Sequence, residues 1–320
     1  MKLTVLGCGR WGSFLATYHS AKNEVLLWGR PDAPSFQELA PHRKNQYLTL
    51  PEKLILESDL EKALSWADTI IISISAQQLR SFAKQINEFD VSGKTFILCM
   101  KGIEVDTGKR LTQVINEEIQ QKISVAVWVG PGHVQDFLAG IPNCMVVDSP
   151  DPQVTEQISE NLSSDLIRLY RGADIIGTEV GAAAKNVVGI AAGLLDGAGL
   201  TSLKGALMAR GAREVARLIH AMGGNELSAY GLCHLGDYEA TLFSPHSHNR
   251  MFGECFILGK PYTQLAEGAS TVKALIKLGE EYKVDLPICH VVNDVLYHGM
   301  TADKAVAALF SRSVKGEFEL

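Results

Sequence analysis

Long apolar runs are missing from this 320-residue chain, and so are closely spaced cysteines. No uninterrupted apolar segment approaches the roughly 20 residues that cross a bilayer, so membrane insertion is not expected. The N-terminus, MKLTVLGCGR, carries one lysine and a short apolar stretch that meets glycines at once. That is the pattern of a first β-strand and not of a secretory leader. The six cysteines (Cys8, Cys99, Cys144, Cys233, Cys255, Cys289) include no Cys-x-x-Cys pair. Their spacing argues against a disulfide framework or a structural zinc site and for reduced, mostly buried thiols in a cytoplasmic protein. Internal repeats, low-complexity tracts and linker-like segments are absent. A strong charge of one sign is absent too: 30 Lys and Arg against 36 Asp and Glu leave a net charge of −6. This mildly acidic balance does not suit nucleic acid or a membrane surface, although local basic groups can still hold an anion. What the chain does have is 46 % hydrophobic and 21 % charged residues, the composition of a globular protein long enough for two cores.

The first 177 residues alternate strand-length apolar runs with amphipathic segments. KLTVL, EVLLW, KLILE, DTIIISI, KTFILCM and ISVAVWV are the strand candidates, and NCMVVD and LIRLY extend the same set. Continuous apolar runs mark strands covered on both faces, as in a parallel sheet with helices on each side. The fold class expected is therefore α/β, with an N-terminal Rossmann-type doubly wound sheet. The turn at Asp148–Pro152 precedes a helix that Ser149 or Asp151 would cap. After Gly177 the texture changes. TEVGAAAKNVVGIAAGLLDG, ALMARGAREVARLIHAMGG, YTQLAEGASTVKALIKLGEEY and PICHVVNDVLYHGM read as helices, so an all-α C-terminal domain is expected. The boundary is placed between residues 177 and 178, with a long helix joining the domains directly.

KLTVL runs straight into Gly7-Cys8-Gly9-Arg10-Trp11-Gly12 and then into a helix. G-x-G-x-x-G alone is a weak pattern, but between a first strand and a first helix it has the context of a dinucleotide-binding turn. Gly7 permits the tight turn, Gly9 lets the backbone approach a pyrophosphate, and Gly12 lets helix and strand pack closely. The free N–H groups of the helix start then face the phosphates. Cys8, inside the turn, reads as a space-filling residue rather than a redox switch. At the end of EVLLW, Arg30 suits the 2′-phosphate of NADP, while Asp32 keeps NAD open.

Lys185-Asn186 sits in a helix that is small or apolar on every face, which marks the helix as buried. No acid lies three or four residues from Lys185; those positions are Gly181, Ala182, Val188 and Gly189. A lysine kept from water has a lowered pKa and can exchange protons near neutrality. A dehydrogenase needs such a group, because hydride leaves a carbinol carbon only as the hydroxyl proton departs. The bland alternative is a lysine snorkelling to the surface. Other candidates read more plainly. His133, His234, His246 and His248 invite a metal reading, but His246-Ser247-His248 is an alternating pair in a polar loop with no nearby cysteine or acid at ligand spacing, and no metal is expected. Arg210, Arg213 and Arg217 lie along one helical face with Glu214 nearby, a solvated face first and an attractor of phosphate second.

Taken together, the sequence resembles the NAD(P)-dependent glycerol-3-phosphate dehydrogenase family of the soluble bacterial type. The likeness spans nearly the whole chain and is carried, in order, by GCGRWGSFLA, NQYLTL, CMKGIE, VGPGHVQDFLAGIP, GTEVGAAAKNVVGIAAGLLDG, LGDYEATLFSPHSHNRMFG and EGASTVKALIKLGEEYKVDLPI. It implies reversible reduction of dihydroxyacetone phosphate to sn-glycerol 3-phosphate for glycerophospholipid synthesis, by a cytoplasmic homodimer. It also implies roles. Lys185 matches the catalytic general acid/base. Lys101, Gly130, Gly132, Asn186, Asp237, Thr241, Ser247, His248 and Asn249 match the substrate side. Gly7, Gly9, Arg10, Trp11, Gly12, Arg30, Lys101, Val134, His248, Leu265 and Glu267 match the cofactor side. The cofactor implied is NAD or NADP, with Arg30 favouring NADPH.

Two departures bear on the substrate. The family ends its phosphate motif in Ser-Arg-Asn or Gly-Arg-Asn, and here the arginine's place is taken by His248, which cannot make a bidentate fork. Arg250, Lys204 or Arg210 are the alternative sources of charge. The family's Ser-Gly-Pro-Thr/Ser-Phe-Ala is Val129-Gly130-Pro131-Gly132-His133-Val134, which lacks a hydroxyl at Gly132. These changes keep two rivals open: a related dehydrogenase acting on another small phosphate or hydroxy acid, and a non-catalytic NAD(P)-binding sensor.

Overall fold

The computed structural model describes residues 1–313, 316 and 317. Eight strands form one sheet: β1 (Lys2–Leu6), β2 (Glu24–Trp28), β3 (Ile55–Glu57), β4 (Thr69–Ile72), β5 (Thr95–Leu98), β6 (Ser124–Val129), β7 (Asn143–Asp148) and β8 (Ile167–Arg171). Their order across the sheet is β3-β2-β1-β4-β5-β6-β7-β8. β1 pairs in parallel with both β2 and β4, and the β2–β3, β4–β5, β5–β6 and β7–β8 pairs are parallel as well. All eight apolar runs are strands. For the inner strands the reason is burial on both faces: in β1 and β2 every residue after the first is buried, a pattern that needs a helix layer on each side, whereas β3 and β8 lie at the sheet's two edges and are partly exposed. The helices between strands are α1 (Arg10–His19), α2 (Pro34–His42), α3 (Leu60–Trp66), α4 (Leu79–Ile86), α5 (Leu111–Glu118), α6 (Val134–Leu138) and α7 (Pro152–Leu162). Of the two candidate caps for α7 it is Asp151 that accepts from Gln153 N, at 2.9 Å, while Ser149 accepts from Asp151 N. Such a cap stabilises a helix by about 1 kcal/mol.

Strand order reverses between β1 and β4, because the chain lays β2 and β3 to one side of β1 before returning to the other. The carboxyl ends of β1 and β4 are thus a topological switch point, where doubly wound sheets bind ligands.

The chain divides into two compact units. The first comprises residues 1–100, 111–128 and 132–173. The second comprises residues 101–110, 129–131 and the chain from Asp174 onward. Two short excursions, which follow β5 and end β6, are therefore grouped with the helical part.

The helices of the second unit are α8 (Ile175–Gly197), α9 (Lys204–Ala221), α10 (His248–Ile257), α11 (Glu267–Glu281), α12 (Pro287–Tyr297) and α13 (Ala302–Phe310). No strand follows β8 among the described residues. α8 is the axis of this unit. Every residue from Gly177 to Leu194 is buried. By length and mean hydropathy α8 does qualify as a bilayer-crossing helix, contrary to the expectation from uninterrupted apolar runs. Its window holds charged residues yet averages apolar, and 89 % of that window is packed inside the protein.

Two helices were not legible in the periodicity. α10 has only Gly253 fully buried and no apolar stripe. Phe252 and Ile257 pack against the helical core, but the closest approach to α8 is made by backbone. A Cβ on Gly193 would stand 1.9 Å from the Arg250 carbonyl oxygen, and one on Gly253 would stand 2.3 Å from that of Ile190. α13 is short and half exposed. In the opposite direction, residues 262–266 were expected to be helical and are not; α11 begins at Glu267.

Glu214, on α9, is buried at 2 % exposure and accepts hydrogen bonds from Ile288 N (2.8 Å) and Cys289 N (3.0 Å) at the start of α12. Burial pushes its pKa from 4.5 up to about 7, against the pull of those two N–H groups. A carboxyl raised in the folded state contributes stability below its unfolded pKa and loses it as pH climbs through the folded one. Unfolding free energy should therefore fall between pH 4.5 and 7 by an amount that Glu214→Gln removes. Parallel denaturant titrations of the two proteins across that window check this, and identical slopes would refute it.

Candidate active site

The glycine turn lies at the switch point. Gly7 has φ +112°, and a Cβ there would stand 2.2 Å from the carbonyl oxygen of Ser73, just beyond β4. Gly12 lies against the turn itself; its Cβ would meet the Gly7 oxygen at 1.9 Å. Gly9 differs from both. Nothing lies within 4 Å of its missing Cβ, so the backbone there faces open space. Gly9 also caps α1 without any side-chain hydrogen bond to the first helical N–H groups. Open space beside uncapped N–H groups fits a pyrophosphate. Arg10 lies over the Tyr47 ring at 5.9 Å. Trp11 packs on Phe14 and Phe137 with ring centroids 5.4 and 6.0 Å away. Arg30 and Asp32, which pull the cofactor reading in opposite directions, face each other at 3.8 Å, both largely exposed. Val134 is buried in the first unit's core. Gly132 has φ +134°, and the Phe137 ring would lie 2.4 Å from its Cβ. The hydroxyl missing at this position is thus replaced by an aromatic edge, and no side chain fits.

The second group of residues belongs wholly to the helical unit. Lys185 is 6 % exposed on α8. Its counter-charge is distant in sequence: Asp237 Oδ2 pairs directly with Lys185 Nζ, and Thr241 Oγ1 accepts from the same ammonium at 2.8 Å. Asp237 and Thr241 reach one nitrogen because a 3₁₀ turn (Leu235–Asp237) is followed by a π-turn (Glu239–Phe243) instead of regular α-helix. Lys101 Nζ shares the same carboxylate oxygen at 2.8 Å and donates to the Gly130 carbonyl at 2.7 Å. Asp237 is 1 % exposed and Lys101 about a fifth exposed. Burial drives the Lys185 pKa from 10.5 down to about 7; Asp237 opposes the shift and Lys101 adds to it. A lysine brought down toward neutrality can exchange its proton in either direction, as general acid/base work near pH 7 requires.

Asn186 extends the cluster. Its Nδ2 donates to the Lys101 carbonyl at 3.1 Å, and its Oδ1 accepts from Asn249 Nδ2 at 3.1 Å. Asn249 Oδ1 in turn accepts from Gly268 N at 2.9 Å. Three helices, α8, α10 and α11, are thereby tied through one amide pair. Ser247 caps α10 by accepting from Arg250 N. His248 Nδ1 lies 2.5 Å from the Tyr262 hydroxyl, a partner that sequence reasoning missed. Glu267 opens α11, two residues after Leu265, which is largely exposed. Among the alternative cations, Lys204 and Arg250 both bind Asp196, Arg250 also binds Glu254, and Arg210 reaches the Glu317 carbonyl. The charges of Lys204 and Arg250 are thus already paired with carboxylates. Among the described residues no group of three His, Cys, Asp or Glu is placed to hold a metal ion. A cavity of 760 Å³ opens among α8, α9, α12 and α13, lined by Arg210, Glu214 and Arg217 but by neither Lys185 nor its partners.

A doubly wound sheet with a glycine turn at its switch point, joined in sequence to a helical unit holding a buried lysine, is the architecture of a two-part nicotinamide-nucleotide dehydrogenase. The comparisons narrow the class. The NAD-dependent glycerol-3-phosphate dehydrogenase N-terminus family matches residues 2–155, and the C-terminus family matches residues 174–307. A glycerol-3-phosphate dehydrogenase [NAD(P)+] of Chlorobium phaeobacteroides is 35 % identical over 99 % of both chains. One from Bacillus pumilus is 34 % identical over 99 % of this chain and 96 % of its own. The crystal structure of glycerol-3-phosphate dehydrogenase from Coxiella burnetii aligns with a TM-score of 0.89 at 26 % identity, over 97 % of this chain and 99 % of that one. This chain belongs to the NAD-dependent glycerol-3-phosphate dehydrogenase family.

The turn geometry sets one test. Gly12→Val would press a branched side chain into the Gly7 carbonyl, and overpacking of this kind costs about 1–3 kcal/mol. A lowered melting temperature and at least a tenfold weaker NADH fluorescence titration are expected. Wild-type affinity in this variant would show that the turn does not approach the nucleotide.

Proposed function

We propose that this protein interconverts dihydroxyacetone phosphate and sn-glycerol 3-phosphate with NAD(P)H, using Lys185 as general acid/base. The observation that carries the proposal is the buried Lys185 ammonium, lowered to about pKa 7 and held by Asp237 and Thr241. Family membership supplies the substrate.

In this reading residues 1–177 form the NAD(P)-binding domain and residues 178–320 the substrate-binding and catalytic domain. Gly7, Gly9, Arg10, Trp11 and Gly12 surround the pyrophosphate, and Val134, Leu265 and Glu267 complete the cofactor side. Arg30 favours NADPH, although its pairing with Asp32 leaves NAD usable. The bound nicotinamide supplies the hydride. Everything else falls to side chains. Lys101 and Lys185 against the single carboxylate of Asp237 leave the cluster without net negative charge, which suits a phosphorylated substrate. As carbonyl carbon becomes carbinol, Lys185 Nζ gives its proton to the developing alkoxide; in the reverse direction the neutral amine takes the hydroxyl proton. Asp237 stabilises the ammonium, Thr241 aims it, and Asn186 with Lys101 and Gly130 fixes the carbonyl. Ser247, His248 and Asn249, at the N-terminal end of α10, hold the phosphate, where helix N–H groups favour an anion. A homodimer belongs to this reading, and six cysteines free of disulfides suit the cytoplasm. Gly132, closed off by Phe137, and His248 in the arginine's place favour one alternative, a related small phosphate as substrate.

Initial rates with dihydroxyacetone phosphate and each reduced cofactor decide the main point. Lys185→Met should fold, keep its cofactor dissociation constant, and lose kcat by roughly 10²–10⁴-fold. Wild-type turnover in that variant would end the proposal. For the phosphate, His248→Arg puts a guanidinium fork where the imidazole stands and should lower the KM for dihydroxyacetone phosphate; an unchanged KM would remove His248 from phosphate binding.

A further inference from the structure

Asp237 is flanked in sequence by a pair of buried, hydrogen-bonded side chains. His234 is fully buried three residues before it, and Tyr238, fully buried, follows it directly. The Tyr238 hydroxyl lies 2.6 Å from His234 Nε2, and His234 Nδ1 lies 2.8 Å from the Gly181 carbonyl. The rings meet edge to face with centroids 4.8 Å apart. A carbonyl only accepts, so Nδ1 carries the proton. Burial lowers the His234 pKa to about 4 and raises that of Tyr238, so both are neutral in the physiological range. Nε2 is then a bare acceptor and the tyrosine donates. Each hydrogen bond has one allowed direction, and the imidazole has one tautomer.

The place where this pair docks matters. Gly181 lies one helical turn before Lys185 on α8, so the histidine is tied to the turn beneath the reactive amine. Two glycines make room for it. A Cβ on Gly181 would stand 3.1 Å from His234 Cβ, and one on Gly211 of α9 would stand 3.1 Å from the tyrosine oxygen. The turn bearing Asp237 is otherwise a junction of 3₁₀ and π geometry, with no continuous α-helical ladder to stiffen it.

We infer that His234 and Tyr238 are positioning residues: a neutral strut between α8 and the Asp237 turn that fixes the Asp237 carboxylate against Lys185. The strut acts through the ion pair and touches no reacting atom. The charged groups facing the amine are Asp237 and Lys101, and the strut adds no third charge. With the strut intact, Asp237 offsets part of the penalty that burial places on the ammonium. With it cut, the carboxylate withdraws and the lysine loses its proton at lower pH.

The inference rests on the proton-transfer role given to Lys185, so its test has one readout independent of turnover. The Lys185 side-chain nitrogen signal, assigned by its loss in Lys185→Met, is titrated by NMR in the wild type, His234→Leu, His234→Gln and Tyr238→Phe. His234→Leu keeps the volume and removes both hydrogen bonds; His234→Gln restores an N–H for the Gly181 carbonyl. The lysine midpoint is expected to fall in His234→Leu and to recover partly in His234→Gln. kcat should fall on the order of 10- to 100-fold, as for misplacement of a reacting group by about 1 Å, while the NADH dissociation constant stays within twofold. A lysine midpoint that stays or rises in His234→Leu, whatever happens to the melting temperature, overturns the strut. A wild-type enzyme that binds NADH but turns over no dihydroxyacetone phosphate would instead overturn the proposed reaction, and the titration would still decide the strut.

Discussion

One carboxylate serving two ammonium groups is the constraint on which the site depends. Asp237 is almost wholly removed from water, and it meets Lys185 and Lys101 with the same oxygen. A buried charge is tolerated only when paired, and deleting one partner of such a pair costs about 3–5 kcal/mol. The cluster therefore has to be assembled as a whole, from an excursion after β5, the core helix α8 and an irregular turn before α10. Lys185 gains from this arrangement an environment with opposing terms. Dry packing disfavours its charge, the carboxylate favours it, and the second ammonium disfavours it again. Burial is the largest of the three and brings the amine down toward neutrality, and the carboxylate keeps it from falling further.

The amide pair Asn186–Asn249 does for position what Asp237 does for charge. Each amide has an oxygen and a nitrogen, and both ends of both groups are accounted for by Lys101, each other and Gly268. A side chain with one donor and one acceptor used in fixed senses has little freedom to rotate. Gly7 and Gly12 of the glycine turn behave differently. They are fixed by sterics, with carbonyl oxygens standing where side chains would be.

Much of this could be read from the sequence. The strands were visible because parallel strands buried on both faces leave continuous apolar runs, and all eight runs from KLTVL to LIRLY became strands. The lysine stood out because an all-apolar helix has no reason to carry it. What escaped notice is equally physical. α10 was invisible to periodicity because glycines, not an apolar stripe, seat it against α8. The partner of Lys185 could not be found by counting three or four residues along a helix, since it arrives from 52 positions away. The spacing of Asp237 and Thr241 suggested one helical face, and the two do converge, but by way of a π-turn. His234 was weighed only as a metal ligand. The signal that would have found its role is the tyrosine four residues on, since a ring pair at that spacing next to an acid is a local brace.

Helix α8 has a consequence for how such a protein can change. α10 and α11 lie against it so closely that main-chain oxygens occupy the places of absent methyl groups at Gly193, Gly253 and Gly268. Growth of any of these positions by a single carbon would drive the helices apart and carry Asn249 away from Asn186. Divergence in this protein is thereby channelled to the tip of α10 and the loop before it, where serine, histidine and asparagine sit on a scaffold that does not yield. New ligand preferences can be sampled there one residue at a time, without reopening the question of where the amine and its acid partner stand.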